Sequence, residues 1–423
     1  MLQLLRRNRD FRTLFLAQLI SYGGDWFATV AILGLVRDRT DSDLLATLVF
    51  VSQALPAFFL SPFAGPVADR FDRRTVMIVV SAAQVLAALI FLGALDGPVF
   101  LVFVAQASIS VFGAFFGPAS QAALPNLVDA EDLPVATALI GATWGTMVTV
   151  GAGLGGLFTL AFGRTASFIA DAVSFAIAAL LITSIHRPTR AAGVPSARRT
   201  RPFADTAEGL RYARQNKVVS ALLMSKAGFG LSSGLVGLLA VLADRRFGAV
   251  EKGIGFLLAA RGAGIVLGPF IARRVAEMDI GRVLTVCGLS ALVNGTMYFF
   301  VPLAPSLWLV GVFVFGAHLG GGTQWTLSSY GLQVSTPDEL RGRIFATDLA
   351  LVTLTMTISL VVAGVASNQF GPRPVMSVLA VVNLIWGATY LWFTRHLRRG
   401  GTRLGETEHH GHSPSPAHVL RRP

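Results

Sequence analysis

Cysteine, lysine and charge of either sign are scarce in this 423-residue chain. Cys287 is the only cysteine, so an intrachain disulfide is excluded. Three lysines are present, followed by Val218, Ala227 and Gly253. A phosphate-cradling loop needs Lys followed by Ser or Thr, so an ATP site of that kind is excluded. Charged residues make up 14% of the chain, well under the ~25% of an ordinary soluble domain. Hydrophobic residues make up 53% and mean hydropathy is +0.63. That much apolar surface cannot be hidden in one or two aqueous cores, which excludes a soluble enzyme.

What is present is a series of apolar runs. Twelve candidate membrane spans fall at about 14–36, 43–66, 75–95, 99–124, 134–162, 166–185, 218–243, 253–272, 282–303, 307–334, 344–368 and 373–394. The expected fold is an all-α membrane protein with twelve transmembrane helices in two six-helix bundles, residues 1–185 and 218–394. A cytoplasmic linker with a surface helix, 186–217, joins them, and 395–423 reads as a disordered cytoplasmic tail. The basic stretch Arg6, Arg7, Arg9 and Arg12 precedes an apolar run too long for a signal peptide, so the first segment is expected to stay as a helix. The net charge of +12 lies between the spans rather than on one surface, which argues against nucleic acid as a partner. Lysine and arginine divide 26 to 7 between the two sides, with Lys226 and Arg261 inside spans; both termini are therefore expected in the cytoplasm.

The two halves echo one another. Gly65-Pro66 and Arg70 recur as Gly268-Pro269 and Arg273, and Glu131-Asp132-Leu133 recurs as Asp338-Glu339-Leu340. A parallel repeat of six-span units implies a cavity between halves near the membrane midplane, which is transporter architecture.

After the second span, Gly65-Pro66-Val67-Ala68-Asp69-Arg70-Phe71-Asp72-Arg73-Arg74 resembles the loop signature of the major facilitator superfamily, with Asp72 where a second glycine is usual. The second-half copy carries Ala272 in place of the acid. Asn8-Arg9-Asp10-Phe11-Arg12, Leu124-Pro125-Asn126-Leu127-Val128, Glu208-Gly209-Leu210-Arg211-Tyr212 and Pro337-Asp338-Glu339-Leu340-Arg341-Gly342-Arg343 are similar to the branch holding enterobactin exporters and macrolide efflux proteins. The resemblance implies the major facilitator fold in a bacterial cell membrane. It also implies proton-coupled efflux of a small amphipathic drug, siderophore or secondary metabolite by alternating access. Multidrug resistance, protons and the lipid bilayer as partners, a monomer, and no cofactor or metal go with that expectation. Two alternatives stay open at this point, a polytopic membrane enzyme acting on lipid and a transporter-like sensor that moves no cargo.

Ionisable residues inside spans are costly and point to function. Asp25, mid-way along the first span, shares a helical face with Gln18 and Tyr22 and is the candidate proton or substrate site. Arg261, in the eighth span, is expected either to pair with Asp25 or to receive an anionic cargo group. Lys226 reads as able to snorkel to the cytoplasmic interface, Asp171 as a partner of the Arg164 loop, and His318 as a satisfied interior histidine or a proton relay. Phe115, with Phe112 and Phe116, and Trp325 are candidate cavity-lining residues. Gly151, Gly155 and Gly156 resemble the superfamily's antiporter signature with Ala152 for its proline, and equally fit plain close helix packing. A cytoplasmic gate is expected where Gly65, Asp69, Arg70, Arg73 and Arg74 face Arg341 and Arg343. The histidines His409, His410, His412 and His418 read as part of the disordered tail rather than a metal site.

Overall fold

The computed structural model describes residues 2–129, 131–189, 202–276 and 279–399, and among these there is no strand. The helices are α1 (Leu2–Arg7), α2 (Arg9–Arg39), α3 (Asp43–Arg70), α4 (Arg73–Asp96), α5 (Phe100–Leu127), α6 (Leu133–Thr183), α7 (Pro202–Gln215), α8 (Lys217–Leu231), α9 (Ser233–Phe247), α10 (Glu251–Ala276), α11 (Ile280–Phe300), α12 (Leu307–Ser335), α13 (Asp338–Phe370), α14 (Pro372–Phe393) and α15 (Arg395–Arg399). Ten helical stretches are long and apolar enough to cross a membrane. One of them, α6, reverses at Gly163 (φ 81°, ψ 169°) and so supplies the fifth and sixth spans. The reversal brings the hydroxyls of Thr159 and Ser167 to 2.8 Å. With α12, 29 residues long, the spans number twelve. Side chains such as Leu86, Trp308, Phe370 and Phe393 stand more than half exposed around the outside, the apolar surface that lipid covers.

Several helix starts carry a side-chain cap for the backbone N–H groups a helix leaves unpaired. Asn8 accepts from Phe11 N at 2.9 Å, Asp72 from Thr75 N at 2.9 Å, Asn216 from Val218 N at 3.0 Å and Asp279 from Arg282 N at 2.9 Å. These four mark one face of the bundle, here the terminal face, where α1, α7 and α15 also lie. The loops at Arg37–Asp43, Gly163 and Phe247–Glu251 mark the opposite face.

The seventh span departs from the uninterrupted 218–243 helix that its apolar run predicts. It breaks at Ser232 into α8 and α9. Ser359 of α13 meets the freed backbone: its hydroxyl donates to Leu231 O at 2.5 Å and accepts from Gly234 N at 3.0 Å. A break at membrane depth survives only when a neighbour supplies such bonds.

α2 to α6 pack with one another, as do α8 to α14, and two seams join the groups. At the first, α3 meets α13, where an added Cβ on Gly364 would lie 2.7 Å from Leu44 Cα. At the second, the fifth span meets α10. A Cβ on Gly156 would lie 3.0 Å from Gly255 Cα, and one on Gly262 would lie 2.5 Å from Thr149 N. Gly151 and Gly155 face the first span instead, within 2.9 Å of Gly23 O and 2.5 Å of Phe27 O by the same measure. The glycine run thus holds the fifth span against two helices at once, backbone to backbone.

Gly156→Leu should overpack the second seam and cost about 1–3 kcal/mol, lowering the thermal unfolding midpoint of the solubilised protein. Gly141→Leu in the same helix, where an added Cβ meets nothing within 4 Å, should leave that midpoint unchanged.

Candidate functional site

A cavity of about 390 Å³ lies between the two helix groups. Tyr22, Asp25 and Trp26 reach it from the first span, and Gln53, Gln84, Gln106 and Ser110 from the second to fourth. Across from them stand Ser232 and Ser233 at the break in the seventh span, Arg261 from α10 and His318 from α12. Phe50, Phe116 and Phe229 complete an apolar wall. Three residues expected here take other places. Gln18 is buried, accepting from Ser120 at 3.2 Å; Phe115 packs into the core beside Phe11 and Leu14; Trp325 lies against Phe229 with ring centroids 5.7 Å apart.

Asp25 and Arg261 line this space together but form no ion pair. The Arg261 guanidinium carbon sits 5.7 Å from the centre of the Trp26 ring, and its Nε and Nη1 are buried without hydrogen-bond partners. The ionisable neighbour whose charge Asp25 does share is Asp171, behind the first span. A Cβ on Gly24 would lie 2.8 Å from Asp171 Oδ1, an oxygen that is buried and unbonded. Asp171 is therefore not a partner of Arg164, whose guanidinium bonds Asp38 at 2.6 Å and also Glu251. His318 is satisfied on one side only: Nε2 meets the Tyr298 hydroxyl at 2.9 Å, while Nδ1 has no partner.

On the opposite face a buried carboxylate ties the groups together. Asp43, fully buried, accepts from Arg37 at 2.9 Å, Arg245 at 2.9 Å and Ser367 at 2.5 Å. Arg37 also bonds Asp244 at 2.8 Å, and Arg164 joins Glu251 nearby. All of these except Arg37–Asp43 cross between α2–α6 and α8–α14, so they hold this end of the cavity shut.

The profile of the transmembrane secretion effector family of major facilitator transporters matches residues 5–415. The chain belongs to that family. It is a multi-pass membrane transporter of small molecules, so the alternative of a lipid-modifying enzyme falls. It is similar to YfiS, an MFS-type transporter of Bacillus subtilis (strain 168), at 24% identity over 87% of this chain and 89% of that one. It is similar at the same identity to the multidrug efflux pump Tap of Mycolicibacterium fortuitum, over 90% and 94%. Among solved structures it matches a bacterial homologue of the human lysosomal transporter Spinster, with a TM-score of 0.71 at 15% identity, covering 92% and 97%.

The transporter's basic loop lies on the terminal face. Arg73 donates to Ala122 O at 2.6 Å and Thr189 O at 2.9 Å, Arg74 donates to Thr183 O, and Arg70 lies 5.9 Å over Phe71. Asp72 caps α4 and accepts from the Thr189 hydroxyl at 3.0 Å. Partial burial works to raise the Asp72 pKa, but the bonds from Thr75 and Thr189 and the charge of Arg74 hold it below the usual carboxylate range. Arg343 pairs with Glu208 of α7 at 2.5 Å, and Arg341 reaches Thr336 O at 3.5 Å. Gly65 and Asp69 of the expected gate lie in α3 with side chains outside the described structure, and the tail histidines lie outside the described residues.

Lys226 does not snorkel. It is 2% exposed, ion-paired to Asp348 of α13, bonded to Ser329 at 2.9 Å and set 4.7 Å over Trp325. Asp348 was legible as an acid inside the eleventh apolar run. Nothing local linked it to Lys226, or Tyr298 to His318, because each pair joins separate helices. Lys226→Met alone strands a buried carboxylate and should cost about 3–5 kcal/mol. Lys226→Met with Asp348→Leu should recover most of that loss, read as unfolding midpoints in detergent micelles.

Proposed function

We propose that this transporter exports a small amphipathic molecule in exchange for protons, with Asp25 as the coupling acid. The observation that carries the reading is a carboxyl group in the wall of a cavity shared by both helix groups, the position from which it can meet cargo and proton in turn. The terminal face is cytoplasmic in this reading, as the arginine distribution indicates, and residues 1–185 and 218–394 rock about the cavity as a monomer. The contacts around Asp43 close the outer end, so the described state is inward-open. A parallel supports this: the Spinster homologue matched above is inward-facing and unoccupied. Kinship with Tap supports efflux as the direction of transport.

The test is transport by the purified protein in proteoliposomes under an imposed pH gradient, using cationic, neutral and carboxylated amphipathic dyes. Asp25→Asn keeps shape and hydrogen bonding but cannot release a proton. The gradient-driven rate should fall more than about tenfold, a barrier change of roughly 1.4 kcal/mol or more. Dye exchange without a gradient should persist. Gradient-driven transport at the wild-type rate would exclude Asp25 as the coupling acid.

The outer closure makes a second prediction. Asp43→Asn removes the charge that draws in Arg37 and Arg245, so the population should shift toward outward-open. Cysteine pairs across the α3–α13 seam, on a Cys287→Ser background, should cross-link more slowly at that end; an unchanged rate would show that the closure does not depend on this carboxylate.

A further inference from the structure

Proton exchange at Asp25 leaves Arg261 in the cavity wall unused. Burying a guanidinium is costly unless anions or acceptors answer it. Here Nε and Nη1 are buried and bare, and so is Nδ1 of His318. The two side chains share one wall because α10 and α12 touch beside them: a Cβ on Gly264 would lie 2.5 Å from Phe315 O and 2.9 Å from His318 C. The charge of Arg261 accordingly reaches both His318 and Tyr298.

The third member of the group is Tyr298, fully buried, its hydroxyl 2.9 Å from His318 Nε2. In the tautomer where the phenol donates, Nε2 is the acceptor and the ring's proton sits on Nδ1. Nδ1–H then joins the guanidinium N–H groups as an unanswered donor. The other polar groups of the lining are neutral amides and hydroxyls, and Asp25 makes no ion pair with Arg261. The missing acceptor therefore belongs to the cargo.

We propose that Arg261 and His318 seat a carboxylate of the transported molecule, with Tyr298 as the positioning residue that keeps His318 in its Nδ1–H form. The guanidinium fork matches the planar carboxylate. One cation balances one negative charge, which suits a carboxylate better than a doubly charged phosphate. The Trp26 ring and the phenylalanines opposite take the apolar body of the same molecule. This cargo class rests on the export reading above, but its binding step requires no gradient.

The test uses the purified full chain in nanodiscs, without a pH gradient, and three probes that share one ring system: 2-naphthoate, 2-naphthamide and 2-naphthylmethylamine. Binding is read from tryptophan fluorescence and calorimetry. The carboxylate should bind at least about tenfold tighter than the amide or the amine. Arg261→Gln should erase that preference while leaving the unfolding midpoint unchanged or higher, because a bare buried charge has been removed. Tyr298→Phe should weaken naphthoate severalfold and leave the amine unaffected, a selectivity that loss of packing alone would not produce. Absence of binding by all three probes, equal binding of the three, or an intact preference in Arg261→Gln would overturn the proposal. Preference for naphthoate in a protein that shows no gradient-driven transport would uphold the seat and count against proton-coupled export instead.

Discussion

A bilayer interior offers no water to answer a polar group, so each donor, acceptor and charge within the spans must be met by the protein. Most of this structure follows from that requirement. Ser359 repairs the backbone at the break in the seventh span, Asp348 and Ser329 meet the ammonium of Lys226, and Asn294 bridges Ala317 O and Asn383. Against that background the unanswered atoms stand out. Among the unanswered atoms, those of Arg261, His318 Nδ1 and Asp171 Oδ1 lie in or beside the cavity between the two helix groups. Polar groups without partners at one site mark where a ligand or a proton completes the structure.

Two basic residues show how tertiary context divides similar side chains. Lys226 and Arg261 both lie deep in spans of the second half. Lys226 has an acid on α13, a hydroxyl on α12 and an aromatic face, and it ties those helices together. Arg261 has an aromatic face and no acid, and it opens on the cavity. The first is a finished interaction inside one helix group; the second is an unfinished one at the boundary between groups.

In the proposed transport cycle that boundary is made and broken. The fifth span and α10 touch backbone to backbone through Gly156 and Gly255. The charges that reinforce the closure, around Asp43 and between Arg164 and Glu251, sit toward the loops, where water can take them up when the groups separate. Apolar and small contacts at depth, with ion pairs near the surface, suit a rocking motion between two rigid groups.

Hydropathy by itself marked the twelve crossings, because a run of about twenty apolar residues has few other fates. The Asp-Arg loop and its neighbours carried the family. Asp25 and Arg261 were legible as intramembrane charges, and the close approach of the glycine run was legible from its small residues. Tertiary structure decided who meets whom. It separated Asp25 from Arg261, set Asp171 behind Asp25 instead of beside Arg164, and drew Lys226 inward to Asp348. It also interrupted the seventh span at Ser232, within Gly230-Leu231-Ser232-Ser233-Gly234. The physical reason is common to all of these: a sequence specifies the cost of each buried group, but only the packing of distant helices specifies which neighbour meets that cost.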